Sequence, residues 1–262
     1  MTAYDTPTAE ILDGQGVDFI LVGDSVGMVV LGYPSTVMVT MDEMIHHAKA
    51  VRRGVRASRI IGDLPLKGVE KGPSQALVSA RRFMDEAGCD AVKIEWGKHC
   101  LKTVDLLVKN KIPVLGHIGL TPQSATRGFK VQGQTVKGAL ELLKSAVELE
   151  KRGVFGVLLE CVPWPVAKQI TETLKVPTIG IGAGSYCDGQ VLVFPDVVGL
   201  FKKFSPRFVK RYADVDSVMR KAVSRYVADV KKGRFPKKKQ SFGMKPEELF
   251  NFRQAMLKRR GR

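Results

Sequence analysis

Five short apolar runs in this chain each end in a polar or ionisable residue: Leu21-Val22-Gly23-Asp24-Ser25, Ile60-Ile61-Gly62-Asp63, Ala91-Val92-Lys93-Ile94-Glu95, Val114-Leu115-Gly116-His117 and Val157-Leu158-Leu159-Glu160. Continuous Val/Ile/Leu runs mark parallel strands buried on both faces. In a (β/α)8 barrel the chemistry sits where such strands end, so the pattern places these tips around one bowl. Acids, a lysine and a histidine meeting there point to a metal-assisted enzyme.

Apolar runs alternate with amphipathic stretches at the spacing of βα units. Strands are predicted at 2–4, 18–22, 59–63, 91–95, 113–117, 156–160, 178–181 and 198–201, with helices near 6–14, 41–53, 73–87, 99–110, 136–152, 164–174 and 188–193. Eight strands favour a closed TIM barrel over an open sheet, and 262 residues suit one such α/β domain. Pro73 fits a first helical turn, while Gly54, Gly88 and Gly153 fit helix ends. The first strand has almost no chain ahead of it, so either the barrel closes with a stub or upstream residues are missing. The barrel is assigned to 1–204. Residues 205–262 form a basic C-terminal extension expected to pack on it, with helices near 214–232 and 246–259 flanking the linker Gly233-Arg234-Phe235-Pro236-Lys237-Lys238-Lys239 and a flexible last part.

Charge separates these two parts. The chain carries a net +16, and residues 201–262 hold 20 Lys+Arg against 5 Asp+Glu, which is +15, leaving 22 against 21 elsewhere. A basic segment can attract nucleic acid, but no recognition motif or aromatic interleaving accompanies it, and a solvated face is the ordinary meaning of a charge run. Nucleic-acid binding as the main function would show as tight, salt-sensitive affinity lost on removal of residues 233–262. No apolar run reaches about 18 residues, and no cationic start leads into an apolar stretch. The expectation is a soluble, cytoplasmic protein with no membrane partner. Cys89, Cys100, Cys161 and Cys187 form no C-x-x-C pair and are expected to be reduced.

Asp24, Asp63 and Glu95 end consecutive candidate strands, and three converging carboxylates suit Mg2+, a hard cation that keeps water or substrate oxygens in its shell. Alternatively, each acid caps the helix that follows. Lys93 and Glu95, two apart on one strand, share a face while Val92 and Ile94 take the other. That pair can hold a substrate carboxylate or form a structural ion pair. Ser25 can donate to a bound oxyanion or stabilise a turn. Glu160, ending the sixth candidate strand across the barrel from the acids, sits among apolar neighbours such as Leu158 and Val162; burial there raises a carboxylate pKa, as a general base near neutrality requires. His117 is an adjacent hydrogen-bonding or relay group, or a structural histidine. His46 and His47, adjacent on a helix, do not share a face and are read as non-catalytic. Gly180-Ile181-Gly182-Ala183-Gly184 comes too late for a dinucleotide loop and suits backbone amides approaching a ligand at the rim.

These residues also carry a family resemblance. Thr2-Ala3-Tyr4-Asp5, Val22-Gly23-Asp24-Ser25-Val26-Gly27, Asp63-Leu64-Pro65, Val92-Lys93-Ile94-Glu95, Gly116-His117-Ile118-Gly119-Leu120-Thr121-Pro122-Gln123-Ser124, Lys130-Val131-Gln132-Gly133, Leu159-Glu160-Cys161-Val162-Pro163 and Val209-Lys210-Arg211-Tyr212-Ala213-Asp214 resemble the ketopantoate hydroxymethyltransferase family, in family order, to about residue 242. The resemblance implies a barrel of the phosphoenolpyruvate/pyruvate type and transfer of a hydroxymethyl group from 5,10-methylenetetrahydrofolate to 3-methyl-2-oxobutanoate, giving 2-dehydropantoate on the way to pantothenate. It implies Mg2+ on Asp24, Asp63 and Glu95, substrate contacts from Ser25 and Lys93, catalysis by Glu160, and a homo-oligomer, typically a decamer; Asp24, Asp63 and His117 are expected to contact substrate as well. The sequence departs from the family pattern at Leu66-Lys67-Gly68, at Trp96, in a shortened loop at 125–128, at Lys237-Lys238-Lys239 and beyond Phe242. The nearest enzyme alternative is a Mg2+-dependent 2-oxo acid C–C lyase of the isocitrate lyase/phosphoenolpyruvate mutase group, whose K-K-C-G-H loop is absent here.

Overall fold

Seven parallel strands lie side by side in chain order: β1 Phe19–Val22, β2 Arg59–Asp63, β3 Ala91–Glu95, β4 Val114–Gly119, β5 Gly156–Glu160, β6 Thr178–Ile181 and β7 Gly189–Gln190. They belong to a computed structural model that describes residues 1–124, 130–204 and 206–260, without the side chains of Ser124 and Arg260. The shortened loop at 125–128 lies outside the described residues.

The period of two along each strand sorts the core into layers. Leu21, Ile61, Ala91, Leu115, Leu158, Ile179 and Val191 form one apolar cluster on the inner face of the sheet. Ile20, Val22, Ile60, Val92, Ile94, Val114, Val157 and Leu159 point the other way, into the larger core shared with the helices. Helix Met41–Gly54 shows how that outer core is built. Thr40 and Glu43 close a capping box at its start, and Met44, Ile45, Ala48 and Val51 recur at helical spacing to form its buried stripe.

Two predicted strands are corrected. Residues 198–201 follow Phe194–Val197, a short helix with Pro195 in its first turn, and so continue a helical exit instead of forming a strand. The last strand is instead Gly189–Gln190, inside the stretch expected to be helical at 188–193. There the Asp188 carboxylate accepts from both the Thr178 N–H and its hydroxyl, at 2.8 and 3.1 Å, and sets the β6–β7 register. Residues 2–4 contribute a single parallel bridge, Thr2 to Leu21, instead of a full strand. Thr2 N–H also donates to the Leu192 carbonyl at 3.2 Å, so the N-terminal segment reaches β1 on one side and the chain after β7 on the other.

The chain divides into two compact units, 1–213 and 214–262. The second contains helices Val215–Lys231 and Pro246–Arg260, and the first of these buries no residue. Among the described residues no helix is long and apolar enough to cross a membrane.

Candidate active site

Two residues beyond the inner apolar layer, the same sheet face turns polar: Ile61 is followed by Asp63, Ala91 by Lys93 and then Glu95, Leu115 by His117, and Leu158 by Glu160. Alternation therefore stacks an ionisable ring on an apolar floor. Asp24, Ser25, Asp63, Lys93, Glu95, His117 and Glu160 all line one cavity of about 320 Å³, so the seven predicted site residues are brought together.

The wall formed by the ends of β1, β2 and β3 is tightly bonded. Lys93 Nζ lies 2.6 Å from Asp63 Oδ1 and 3.9 Å from Glu95 Oε1, so its nearer partner is Asp63. Asp63 Oδ2 accepts from the Asp24 backbone N–H at 3.1 Å. Gln123, buried in the short 3-10 helix Pro122–Ser124 after β4, donates through Nε2 to Asp24 Oδ2 at 2.9 Å and to the Leu64 carbonyl at 3.0 Å, and through its backbone N–H to Glu95 Oε2 at 3.1 Å. Burial drives the Asp63 pKa up to about 7, with Lys93 opposing and Asp24 reinforcing the shift. Burial also pushes Glu95 well above the usual carboxylate range, again against Lys93 and with Asp24, Asp63 and Glu160 adding to it. For Lys93, burial disfavours the charge, but Asp63, Glu95 and Asp24 outweigh it and raise the pKa, so the ammonium keeps its proton.

Three buried carboxylates facing one ammonium leave uncompensated negative charge, and the raised acids express that strain. The donor set fits a hard divalent cation on these grounds. It fits as an open site and not a closed cage: among the described residues no three acidic, His or Cys side chains are arranged to surround an ion. Mg2+ binds in that open manner, through one or two carboxylates with water and substrate oxygens completing the octahedron.

The wall formed by β4 and β5 is looser. His117 is 1% exposed and lies between two acids, with Nε2 3.3 Å from Glu160 and Nδ1 3.6 Å from Glu95, yet neither nitrogen has an aligned hydrogen bond. Burial lowers its pKa, so the ring is neutral near pH 7. Glu160 was expected across the barrel from the acids; only the imidazole separates it from Glu95. Its backbone is closely held. Gly119, at φ +97°, lets the strands approach so nearly that a Cβ there would sit 2.2 Å from the Glu160 carbonyl oxygen, which accepts from Leu120 N–H at 2.8 Å. Cys161, next in the chain, takes the left-handed conformation at φ 50°. The Glu160 side chain is 18% exposed.

Three further buried groups belong to the site or support it. Gln123 offered no signal beyond its place in a motif, because its partners are distant in sequence. Tyr4 shares a 2.7 Å hydrogen bond with Ser25 and so orients that hydroxyl. Asp196 lines the cavity at 8% exposure, its pKa raised by burial with Arg211 opposing; an acid inside Phe194-Pro195-Asp196-Val197-Val198 was the available clue. His47 donates through Nδ1 to the Tyr4 carbonyl oxygen at 2.7 Å, and neither it nor His46 lines the cavity. Gly182, at φ +65°, packs under the Phe208 ring at the rim. Lys67 reaches the Met38 carbonyl and Trp96 packs on the core, so these departures from the family pattern lie outside the lining.

The profile of the family described as ketopantoate hydroxymethyltransferase matches residues 1–238. The chain is 53% identical over 250 residues to a 3-methyl-2-oxobutanoate hydroxymethyltransferase of Oleidesulfovibrio alaskensis, covering 95% of this chain and 86% of that protein. A Dehalococcoides mccartyi protein of the same name is 51% identical over 259 residues, covering 98% and 93%. Among solved structures, the phosphoenolpyruvate phosphomutase of Streptomyces platensis aligns with a TM-score of 0.57 at 14% identity, covering 99% of this chain and 91% of that one. An oxaloacetate acetylhydrolase with bound oxalate aligns at 0.59 and 12%, covering 99% and 91%. These structural likenesses concern the fold alone.

Proposed function

The chain belongs to the ketopantoate hydroxymethyltransferase family, and from that premise we propose how its residues transfer a hydroxymethyl group to 3-methyl-2-oxobutanoate, with 5,10-methylenetetrahydrofolate as donor and 2-dehydropantoate as product. One observation carries the proposal: a bonded acidic cluster and a carboxylate with no aligned donor, separated by the His117 ring, line one small cavity. The first suits a 2-oxo acid and its cation; the second suits proton removal.

Asp24, with Asp63 and Glu95, would hold Mg2+; when bound, the ion supplies Lewis-acid polarisation of the 2-oxo group and so acidifies the hydrogen on C3. Lys93, kept protonated by its neighbours, anchors the substrate carboxylate. Ser25, oriented by Tyr4, donates to a substrate oxygen. Glu160 removes the C3 proton as general base. Neutral His117 borders both walls and places an uncharged polar ring between Glu160 and Glu95. The electron pair left on C3 forms the new C–C bond to the donor's methylene carbon, water supplies the hydroxyl oxygen, and both C–N bonds that held that carbon to the folate break, so that tetrahydrofolate leaves with the C3 proton and one proton from water on its two nitrogens. The apolar floor of Leu21, Leu158 and Ile181 accepts the isopropyl end and excludes bulk water.

The same proposal includes closure of the seven strands into a (β/α)8 barrel by residues 2–4, supported by the Thr2 contacts to Leu21 and Leu192. It includes a homo-oligomer, decameric as in the family, supported by the exposed apolar side chains Val218, Met219, Val223 and Tyr226 on helix Val215–Lys231. The basic C-terminal helices belong to the second compact unit. Incubation with 3-methyl-2-oxobutanoate, Mg2+ and a donor labelled with 13C at the methylene carbon is expected to give labelled 2-dehydropantoate by NMR. A folded, metal-loaded protein that transfers no label would overturn the assignment.

A further inference from the structure

The six oxygens of Asp24, Asp63 and Glu95 are not equivalent. Asp63 has both engaged, Oδ1 by Lys93 and Oδ2 by the Asp24 N–H. Glu95 Oε2 is taken by the Gln123 N–H, while its Oε1 faces Lys93 at 3.9 Å and His117 at 3.6 Å. Asp24 Oδ2 is taken by Gln123 Nε2. Asp24 Oδ1 alone has no donor or cation among the described residues. One residue thus sets which oxygens of two of the three acids remain available.

Gln123 is built for this. Its amide has two N–H donors, and both are spent, one on Asp24 and one on the Leu64 carbonyl that follows Asp63. With its backbone N–H on Glu95, the residue ties together the ends of β1, β2 and β3. It is 8% exposed and does not line the cavity, so it stands behind the acids and not among the groups that meet substrate. A carboxylate at this place would face Asp24 and a carbonyl without a donor; an asparagine is one methylene too short to span the two acceptors.

We infer that Gln123 is a positioning residue for the divalent-cation site: it holds Asp24 with Oδ1 turned free for the ion and locks Glu95 in the same register. This rests on the proposed Mg2+-assisted reaction. Removing an outer-shell partner of a ligating carboxylate typically costs roughly 10- to 100-fold in metal affinity. Mn2+, as a paramagnetic stand-in, reads that affinity directly by electron paramagnetic resonance, without turnover.

The experiment compares the full-length wild type with Gln123→Met, which keeps length and apolar volume but has no donor, and with Gln123→Asn, which keeps the donors but not the reach. The expected result is Mn2+ affinity reduced roughly 10- to 100-fold in Gln123→Met and by a smaller factor in Gln123→Asn, with activity largely restored at high metal concentration. Either variant folding normally and binding Mn2+ within twofold of the wild type would overturn the inference, and if one fails to fold the other decides. A wild type that binds no Mn2+ would overturn the cation reading itself, and Gln123's role with it.

Discussion

The two walls of the cavity are built differently. On the β1–β3 wall, Asp24, Asp63, Lys93 and Glu95 are joined by hydrogen bonds and ion pairs that also recruit Gln123. On the β4–β5 wall, His117 and Glu160 approach one another at 3.3 Å without an aligned bond, and Glu160 is the more exposed of the two. Binding a cation and an anion in one orientation rewards preorganisation, since groups fixed in advance lose little on binding. A general base has a different requirement. A carboxylate already saturated by donors is a poor proton acceptor, and Glu160, with its backbone carbonyl held by Leu120 and its side chain partly exposed, suits the role of base proposed for it.

The sharpest way to break this contrast is at Glu160. In Glu160→Gln, 2-dehydropantoate formation is expected to fall by roughly 100- to 10,000-fold, the usual worth of general base catalysis, with the thermal midpoint preserved. An active variant would remove the base from the β4–β5 wall. At Lys93 the expected loss in kcat/KM for Lys93→Ala is roughly 100- to 1,000-fold, accompanied by destabilisation of about 3–5 kcal/mol because Asp63 and Glu95 lose their buried counter-ion. Unchanged turnover with unchanged stability would show that the ammonium is idle on both counts.

Gly119 sharpens the claim that Glu160 is held through its backbone. Gly119→Ala places a Cβ against the Glu160 carbonyl at positive φ, and strain of this kind costs about 1–3 kcal/mol. Urea unfolding is expected to show that loss, and label transfer is expected to fall with it; a variant that loses neither would mean the strand ends do not set the base. The smallest effect expected is pH-dependent. Asp63 has a pKa raised to about 7, so its contribution is fully present below the unfolded carboxylate value near 4 and is lost as pH rises through about 7. His117, with a lowered pKa, acts in the opposite sense, gaining stability as pH rises towards 6.5. Thermal midpoints without metal, measured from pH 4 to 8, should therefore show wild type losing ground to Asp63→Asn as pH rises. A constant difference would mean that Asp63 does not titrate in that window.

The same contrast explains what was legible in the sequence. The polar ring is visible because a strand has a period of two: an acid two residues beyond an inward Ile61 or Leu158 must face the same cavity. The edges of the sheet were not visible in this way. Gly189–Gln190 is too short to carry a periodic signal, and the apolar run at 198–201 belongs to a helical exit after Pro195. Residues 2–4 bridge through one residue, so their role is set by neighbours far along the chain. Gln123 was invisible for a related reason, since its meaning lies in three acceptors at Asp24, Leu64 and Glu95 that only the folded chain assembles.

The most direct test of the division between the walls follows 3-methyl-2-oxobutanoate by NMR in D2O with Mg2+, reading binding from line broadening and enolisation from loss of the C3 proton signal. Glu160→Gln is predicted to bind the oxo acid like the wild type and to exchange the proton at least roughly 100-fold more slowly, whereas Lys93→Ala is predicted to weaken binding. If Glu160→Gln exchanges normally, or if both variants lose binding and exchange together, the two walls do not divide the work.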